Sequence, residues 1–157
     1  MSLTVFLDSD GVLADFDRRA RELLNCDHRR LPDEEMWRRL NEFEDFWHTI
    51  PKRYDADELV AGVRELGYEP VIITGCPKSN YEVADKGKRD FFNQHWPEFT
   101  VHTCLSRNKA SFMRNPGDIL IDDFKSNCKR WAAANGVPIW HKNTKQTLTE
   151  LKNILGV

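Results

Sequence analysis

The chain has 157 residues, 31% of them charged, and a formal net charge of −2. That length fits one domain able to bury a core, and the near balance of charge excludes a global basic field that would recruit nucleic acid or a membrane surface. No apolar run approaches about 18 residues and no signal-type leader opens the sequence, so a soluble, cytoplasmic protein is expected. Cys26, Cys76, Cys104 and Cys128 lie far apart without a Cys-x-x-Cys pair, which signals neither a zinc cage nor a disulfide framework. The histidines show no ligand pairing, and there is no internal repeat.

Leu3 to Leu7 is a short apolar run that reads as a buried strand. Asp8-Ser9-Asp10-Gly11 follows. If the chain stays extended, the two carboxylates project from one side, about 6–7 Å apart, and Gly11 lets the backbone turn away. Such a like-charge pair, drawn to ~4 Å, costs roughly 4 kcal/mol at an effective dielectric of ~20 unless a cation sits between its members. A calcium loop is excluded: its glycine would fall later, and Arg19 occupies the position that needs a bidentate Glu.

From Asp15 to about Lys52 the composition turns to Arg, Glu and aromatics with helical spacing. Met36, Leu40, Phe43 and Trp47 form one stripe, and Pro32 before Asp33-Glu34-Glu35 suits a helix start. The segment reads as a small helical insert closed by Pro51. Asp55 to Leu66 is a clear helix, with Asp55 and Glu58 spaced as a capping box and Gly67 at its end. Pro70 to Thr74 is a second buried strand, stopped by Gly75-Cys76-Pro77. A helix from about Asn80 to Trp96, a weaker strand near Phe99 to Thr103 and the polar loop Ser106-Arg107-Asn108-Lys109 come next. Asp118 to Ile121 is a third strong strand, ending in Asp122-Asp123. A helix from Ser126 to Asn135, a strand from Val137 to Trp140 and a helix from Thr144 to Leu155 complete the chain. The alternation predicts an α/β fold, a Rossmann-like parallel sheet flanked by helices, with the small helical cap inserted after the first strand. The whole of 1–157 is then one domain, its core 1–16 and 53–157 and its cap about 17–52.

In a parallel sheet the strand ends carrying Asp8, Asp10, Thr74, Asp122 and Asp123 share one edge, and Lys109 can reach it. Clustered carboxylates without His or Cys suit a hard dication such as magnesium, which binds through a few carboxylates, waters and a phosphate oxygen. The metal and Lys109 would neutralise a phosphate dianion, while Thr74 and the amides from Gly75 onward would bind its remaining oxygens. Arg107 is a rival to Lys109 for that role. A carboxylate attacking phosphorus gives an acyl phosphate, and a second carboxylate can protonate the leaving alkoxide.

Asp8-Ser9-Asp10-Gly11-Val12, Thr74, Lys109 and Asp122-Asp123 resemble the four motifs of the haloacid dehalogenase (HAD) superfamily of phosphotransferases. Asp8 to Phe16 and Ile119 to Asp123 further resemble the 5'(3')-deoxyribonucleotidase family within it. The resemblance implies Asp8 as nucleophile, Asp10 as general acid/base, and magnesium held by Asp8, the Asp10 backbone carbonyl and Asp122, with Asp123 supporting the metal. It implies Thr74 and Lys109 on the phosphate and a helical cap between the first two motifs. Phe16, Phe46 and Trp47 lie at positions similar to those where these nucleotidases contact the base. Phe124-Lys125 stands where the well-studied nucleotidases have Arg-Pro, a departure that removes a contact to phosphate or substrate. The expected reaction is hydrolysis of a (deoxy)nucleoside monophosphate. A polynucleotide 3'-end or sugar-phosphate phosphatase, and a non-catalytic partner-binding domain, are the rivals.

Overall fold

The computed structural model describes residues 2–157. Five short strands carry the β-branched and aromatic runs: β1 (Val5–Leu7), β2 (Val71–Gly75), β3 (Val101–Cys104), β4 (Ile119–Asp122) and β5 (Val137–Trp140). All pair in parallel, in the order β3-β2-β1-β4-β5. The helices are α1 (Phe16–Leu24), α2 (Asp33–Leu40), α3 (Ala56–Glu65), α4 (Tyr81–His95), α5 (Lys125–Ala133) and α6 (Thr144–Leu155), with 3₁₀ segments at His28–Arg30 and Ser106–Phe112. This is the Rossmann-like α/β fold that the alternating pattern implies.

Strand pleating divides the core in two. Val5, Leu7, Ile72, Ile119, Ile121 and Ile139 face α3, α4, α6 and the segment that follows β1. Phe6, Val71, Ile73 and Leu120 face α5, where the Trp131 indole donates to the Asp118 carbonyl at 2.8 Å. The connections from β1 and from β4 run to opposite sides of the sheet. The crevice beyond the carboxyl ends of β1 and β4 is therefore where a parallel sheet of this kind receives ligands.

The segment between β1 and α3 leaves and returns at one point. Asp15 N donates to Pro51 O, and Arg53 N donates to Leu13 O, both at 2.8 Å. Within it the stripe read from the sequence does not form one helix. Helix α2 stops at Leu40, residues 41–49 run as turns, and Phe43 is 40% exposed while Phe46 and Trp47 are both buried. Burial here follows the tertiary wall that the turn packs against, not helical periodicity. The capping box is also overridden. Asp55 makes no side-chain bond to its own helix, and its carboxylate accepts from Thr144 N at 3.1 Å, holding the start of α6. Among the described residues no helix is long and apolar enough to cross a membrane.

Candidate active site

Asp8 continues β1, its N–H donating to the Ile121 carbonyl of β4 at 3.0 Å. The extended run ends there. Ser9 is a bend, and its carbonyl accepts from the amides of Val12, Leu13 and Ala14, so the chain closes into a tight loop at once. Gly11 sits in that loop at φ +80°, and a Cβ on it would lie 1.9 Å from Asp123 Oδ2. Only glycine allows both the turn and the approach of Asp123.

Asp8, Asp122 and Asp123 each offer a carboxylate oxygen, and these oxygens lie within 4.8 Å of one another. Lys109, buried in the 3₁₀ segment before β4, bridges two of them, with Nζ 2.9 Å from Asp8 Oδ1 and 2.7 Å from Asp122 Oδ2. Burial pulls Lys109 down, but the charges of Asp8 and Asp122 outweigh it and hold the ammonium above the usual lysine range. Asp122 is fastened further by Phe124 N on Oδ1 at 2.9 Å and Asn127 Nδ2 on Oδ2 at 3.1 Å. Burial and the Asp8 charge still push its carboxyl up to about 6. At Asp123, the surrounding protein and then the Asp8 and Asp122 carboxylates push the pKa up to about 9, although part of the side chain faces solvent. For so exposed a group the like-charge crowding is the more durable cause. Three carboxylates thus gather beside one ammonium that pairs with two of them, and the all-oxygen donor set fits a hard dication such as magnesium.

The other half of the site was not legible as such. The Asp10 side chain stands apart from that cluster and turns to Lys88 of α4, whose Nζ lies 2.6 Å from Asp10 Oδ2 and 2.9 Å from Thr74 Oγ1. Thr74 is fully buried, while Gly75 and Cys76 beyond it line the cleft. Lys88 carries no signal of its own in the sequence: it lies mid-helix between Lys86 and Arg89, which make ordinary surface pairs with Asp90 and Asp85. Asn127 was missed for the same reason, being one polar residue among many on α5.

Two adjoining cavities of about 510 and 390 Å³ share Asp10, Phe16, Gly75, Ser106 and Phe124. The smaller reaches Asp8, Lys109, Asp123 and Asn127, with Arg29 on its outer wall. The larger is lined by the aromatic residues Phe16, Trp37 and Trp47 and by the basic residues Lys78, Arg107 and Arg130. Arg107 therefore lies on the outer cleft, whereas Lys109 lies on the carboxylates. Phe46 lines neither cavity. It is 1% exposed and packs edge-on against Phe16 and Trp47, with centroids 5.3 and 4.9 Å away, so it supports the aromatic wall from behind. Trp37, stacked on Trp47 at 5.9 Å, takes the place in the wall that the sequence reading gave to Phe46.

No protein-family model and no curated protein matches the sequence. Solved structures do. A haloacid dehalogenase-like family hydrolase from Xanthomonas campestris superposes with a TM-score of 0.62 at 12% identity, over 97% of this chain and 91% of that one. A HAD-superfamily hydrolase from Ehrlichia chaffeensis gives 0.57 at 12% identity, over 97% of each chain. A D,D-heptose 1,7-bisphosphate phosphatase from Burkholderia thailandensis gives 0.51 at 10% identity, over 96% and 98%. At these identities the likeness is one of fold: the chain has the architecture of HAD hydrolases.

Proposed function

We propose that this protein is a magnesium-dependent phosphomonoesterase of the HAD type that works through a phospho-aspartate, with a (deoxy)nucleoside monophosphate as substrate. The observation that carries the reading is the convergence of Asp8, Asp122 and Asp123 on one locus with Lys109 buried between them, at the carboxyl ends of β1 and β4. Asp8 and Asp122, with the Asp10 backbone carbonyl, would hold the magnesium. When bound, the ion would neutralise phosphate charge that would otherwise repel the nucleophile. Lys109, 2.9 Å from Asp8 Oδ1, holds that carboxylate in orientation. An Asp8 oxygen forms the bond to phosphorus as the ester P–O bond breaks, and Asp10 gives its proton to the departing alkoxide. Asp10 then takes a proton from water, whose oxygen attacks phosphorus and releases the Asp8 carboxylate.

Substrate class rests on Phe16, Trp37 and Trp47 lining the same cavity as Arg107, Arg130 and Lys78. Aromatic faces receive a nucleobase at ~1–3 kcal/mol per stack, and the cations suit an anion. A polynucleotide 3'-end is the second reading. It is favoured by exposed Phe124 at the cleft mouth and by Trp140, which lies between Lys125 and Lys142 and donates to the Asp123 carbonyl. The test is a phosphate-release screen with magnesium over nucleoside 5'- and 3'-monophosphates, sugar phosphates and 3'-phosphorylated oligonucleotides, repeated after chelation. Release from nucleoside monophosphates that stops on chelation is the expected result. A panel without turnover overturns the reading, and preference for oligonucleotides or sugar phosphates replaces its substrate.

A further inference from the structure

Lys88 is buried, with 3% of its surface exposed, and its ammonium has three directions to fill. One N–H meets Asp10 Oδ2 at 2.6 Å and another meets Thr74 Oγ1 at 2.9 Å. The third direction is covered by the Trp47 ring, whose centroid lies 4.9 Å from Nζ. A gap beside it, bordered by Ser9, Ala14, Ile50 and Phe91, measures about 10 Å³. That is at the lower limit for one water, so solvent does not replace these partners.

The seat is built by the chain's own packing. Gly87 precedes Lys88 in the middle of α4, where glycine costs roughly 1 kcal/mol relative to alanine. A Cβ there would meet Trp47 Cβ at 2.2 Å and the Trp47 carbonyl carbon at 3.0 Å. The glycine lets the insert close directly onto α4, which lays the indole over the ammonium.

The consequence falls on the two groups that Lys88 holds. Asp10 Oδ2 is taken, and Oδ1 is buried without a hydrogen-bond partner. An orphaned carboxylate oxygen is costly in the interior, so the carboxyl stays where it is only because Lys88 holds its other oxygen. Thr74 Oγ1 accepts from Lys88, which leaves its hydroxyl as a donor.

We propose that Lys88 is a positioning residue: it fixes the Asp10 carboxyl at the wall of the cleft that Asp10 lines, where the leaving oxygen would lie, and it fixes the Thr74 hydroxyl as a donor. This rests on the phosphomonoesterase reading and adds a residue to it. In the step concerned, the Asp10 carboxyl gives its proton to the ester oxygen as that oxygen parts from phosphorus and the Asp8–phosphorus bond forms.

The experiment compares two esters in the same enzyme preparation, so that the folded fraction cancels from the ratio. An aryl ester such as p-nitrophenyl phosphate leaves without needing a proton, whereas a nucleoside 5'-monophosphate departs as an alkoxide that does need one. In Lys88→Met, kcat/KM on the alkyl ester should fall by about 10²–10³-fold, the usual worth of a positioned general acid, and on the aryl ester by about tenfold or less. Lys88→Gln, which keeps a donor without the charge, should fall between. Equal losses on both esters, or total loss on the aryl ester, would place Lys88 in the fold or in the displacement itself and overturn the proposal. Wild-type protein inactive on both esters would instead overturn the phosphatase reading, and this inference with it.

Discussion

On the β4 side of the cleft, Lys109 stands between two buried carboxylates, Asp8 and Asp122, with a third, Asp123, close by. On the β2 side, Lys88 stands between one carboxylate, Asp10, and a hydroxyl, Thr74. Both ammoniums are buried to the same degree. The difference lies in how much negative charge each must offset. Lys109 is outnumbered, so its side has an excess of negative charge that a dication can settle. Lys88 is matched one to one, so its side has no such call for a cation, and its donors hold atoms in place. One end of the cleft is arranged to gather charge, the other to aim groups.

The largest expected effect on this contrast comes from Asp8→Asn. It removes the proposed nucleophile, and phosphate release should drop by about 10⁴-fold or more while the thermal midpoint holds or rises, because one carboxylate fewer repels its neighbours. Undiminished turnover by a folded variant would remove Asp8 from the chemistry. Next comes Lys109→Met, which leaves Asp8 and Asp122 buried without their ammonium. Breaking a buried pair in this way costs about 3–5 kcal/mol. Urea denaturation should show that loss, and turnover of aryl and alkyl esters should fall together, unlike the selective loss expected at Lys88. A selective loss at Lys109 would erase the distinction between the two sides.

The smallest effect is a slope. An acid whose folded pKa exceeds its unfolded value binds more protons folded than unfolded, so stability falls as pH rises through that interval. Asp122 spans from 3.8 up to about 6 and Asp123 from 3.8 up to about 9. His141, held down at about 4 chiefly by burial, acts in the opposite sense, adding stability as pH rises from about 4 to 6.5. Above that its contribution is constant. The thiols of Cys76 and Cys128, pushed up to about 11 and about 12, begin to act only near pH 9. Between pH 7 and about 8.5 the Asp123 contribution remains, and the thermal midpoint of metal-free protein should fall across that window, by less than the full shift implies because solvent screens the exposed side of Asp123. Asp123→Asn should flatten the slope, and an unchanged slope would mean that the carboxylates are not crowded as described.

Lys109 was legible because it lies in a polar loop leading to a strand end, and parallel sheets gather such ends at one edge. Lys88 was not, because charged residues at helical spacing on α4 look like a solvated face, and only contact with Trp47 and Asp10 makes one of them internal. The strands were readable from local composition, since Val71-Ile72-Ile73 and Ile119-Leu120-Ile121 have no stable alternative to burial on both faces. The insert was harder. Phe46 and Trp47 are buried by what lies across from them, and periodicity carries no information about that. Asp55 shows the same limit: its local spacing suits a capping box, but Thr144, distant in sequence, offers it a better use.

The clasp at Leu13–Asp15 and Pro51–Arg53 has a consequence for how such proteins diversify. Because the inserted stretch enters and exits through one pair of hydrogen bonds, a longer or shorter replacement would leave the strand register beneath it undisturbed. If the proposed function holds, grafting a foreign loop between those two anchors would change the cleft wall and spare Asp8, Lys109 and Asp122, except for the indole it would have to return to Lys88.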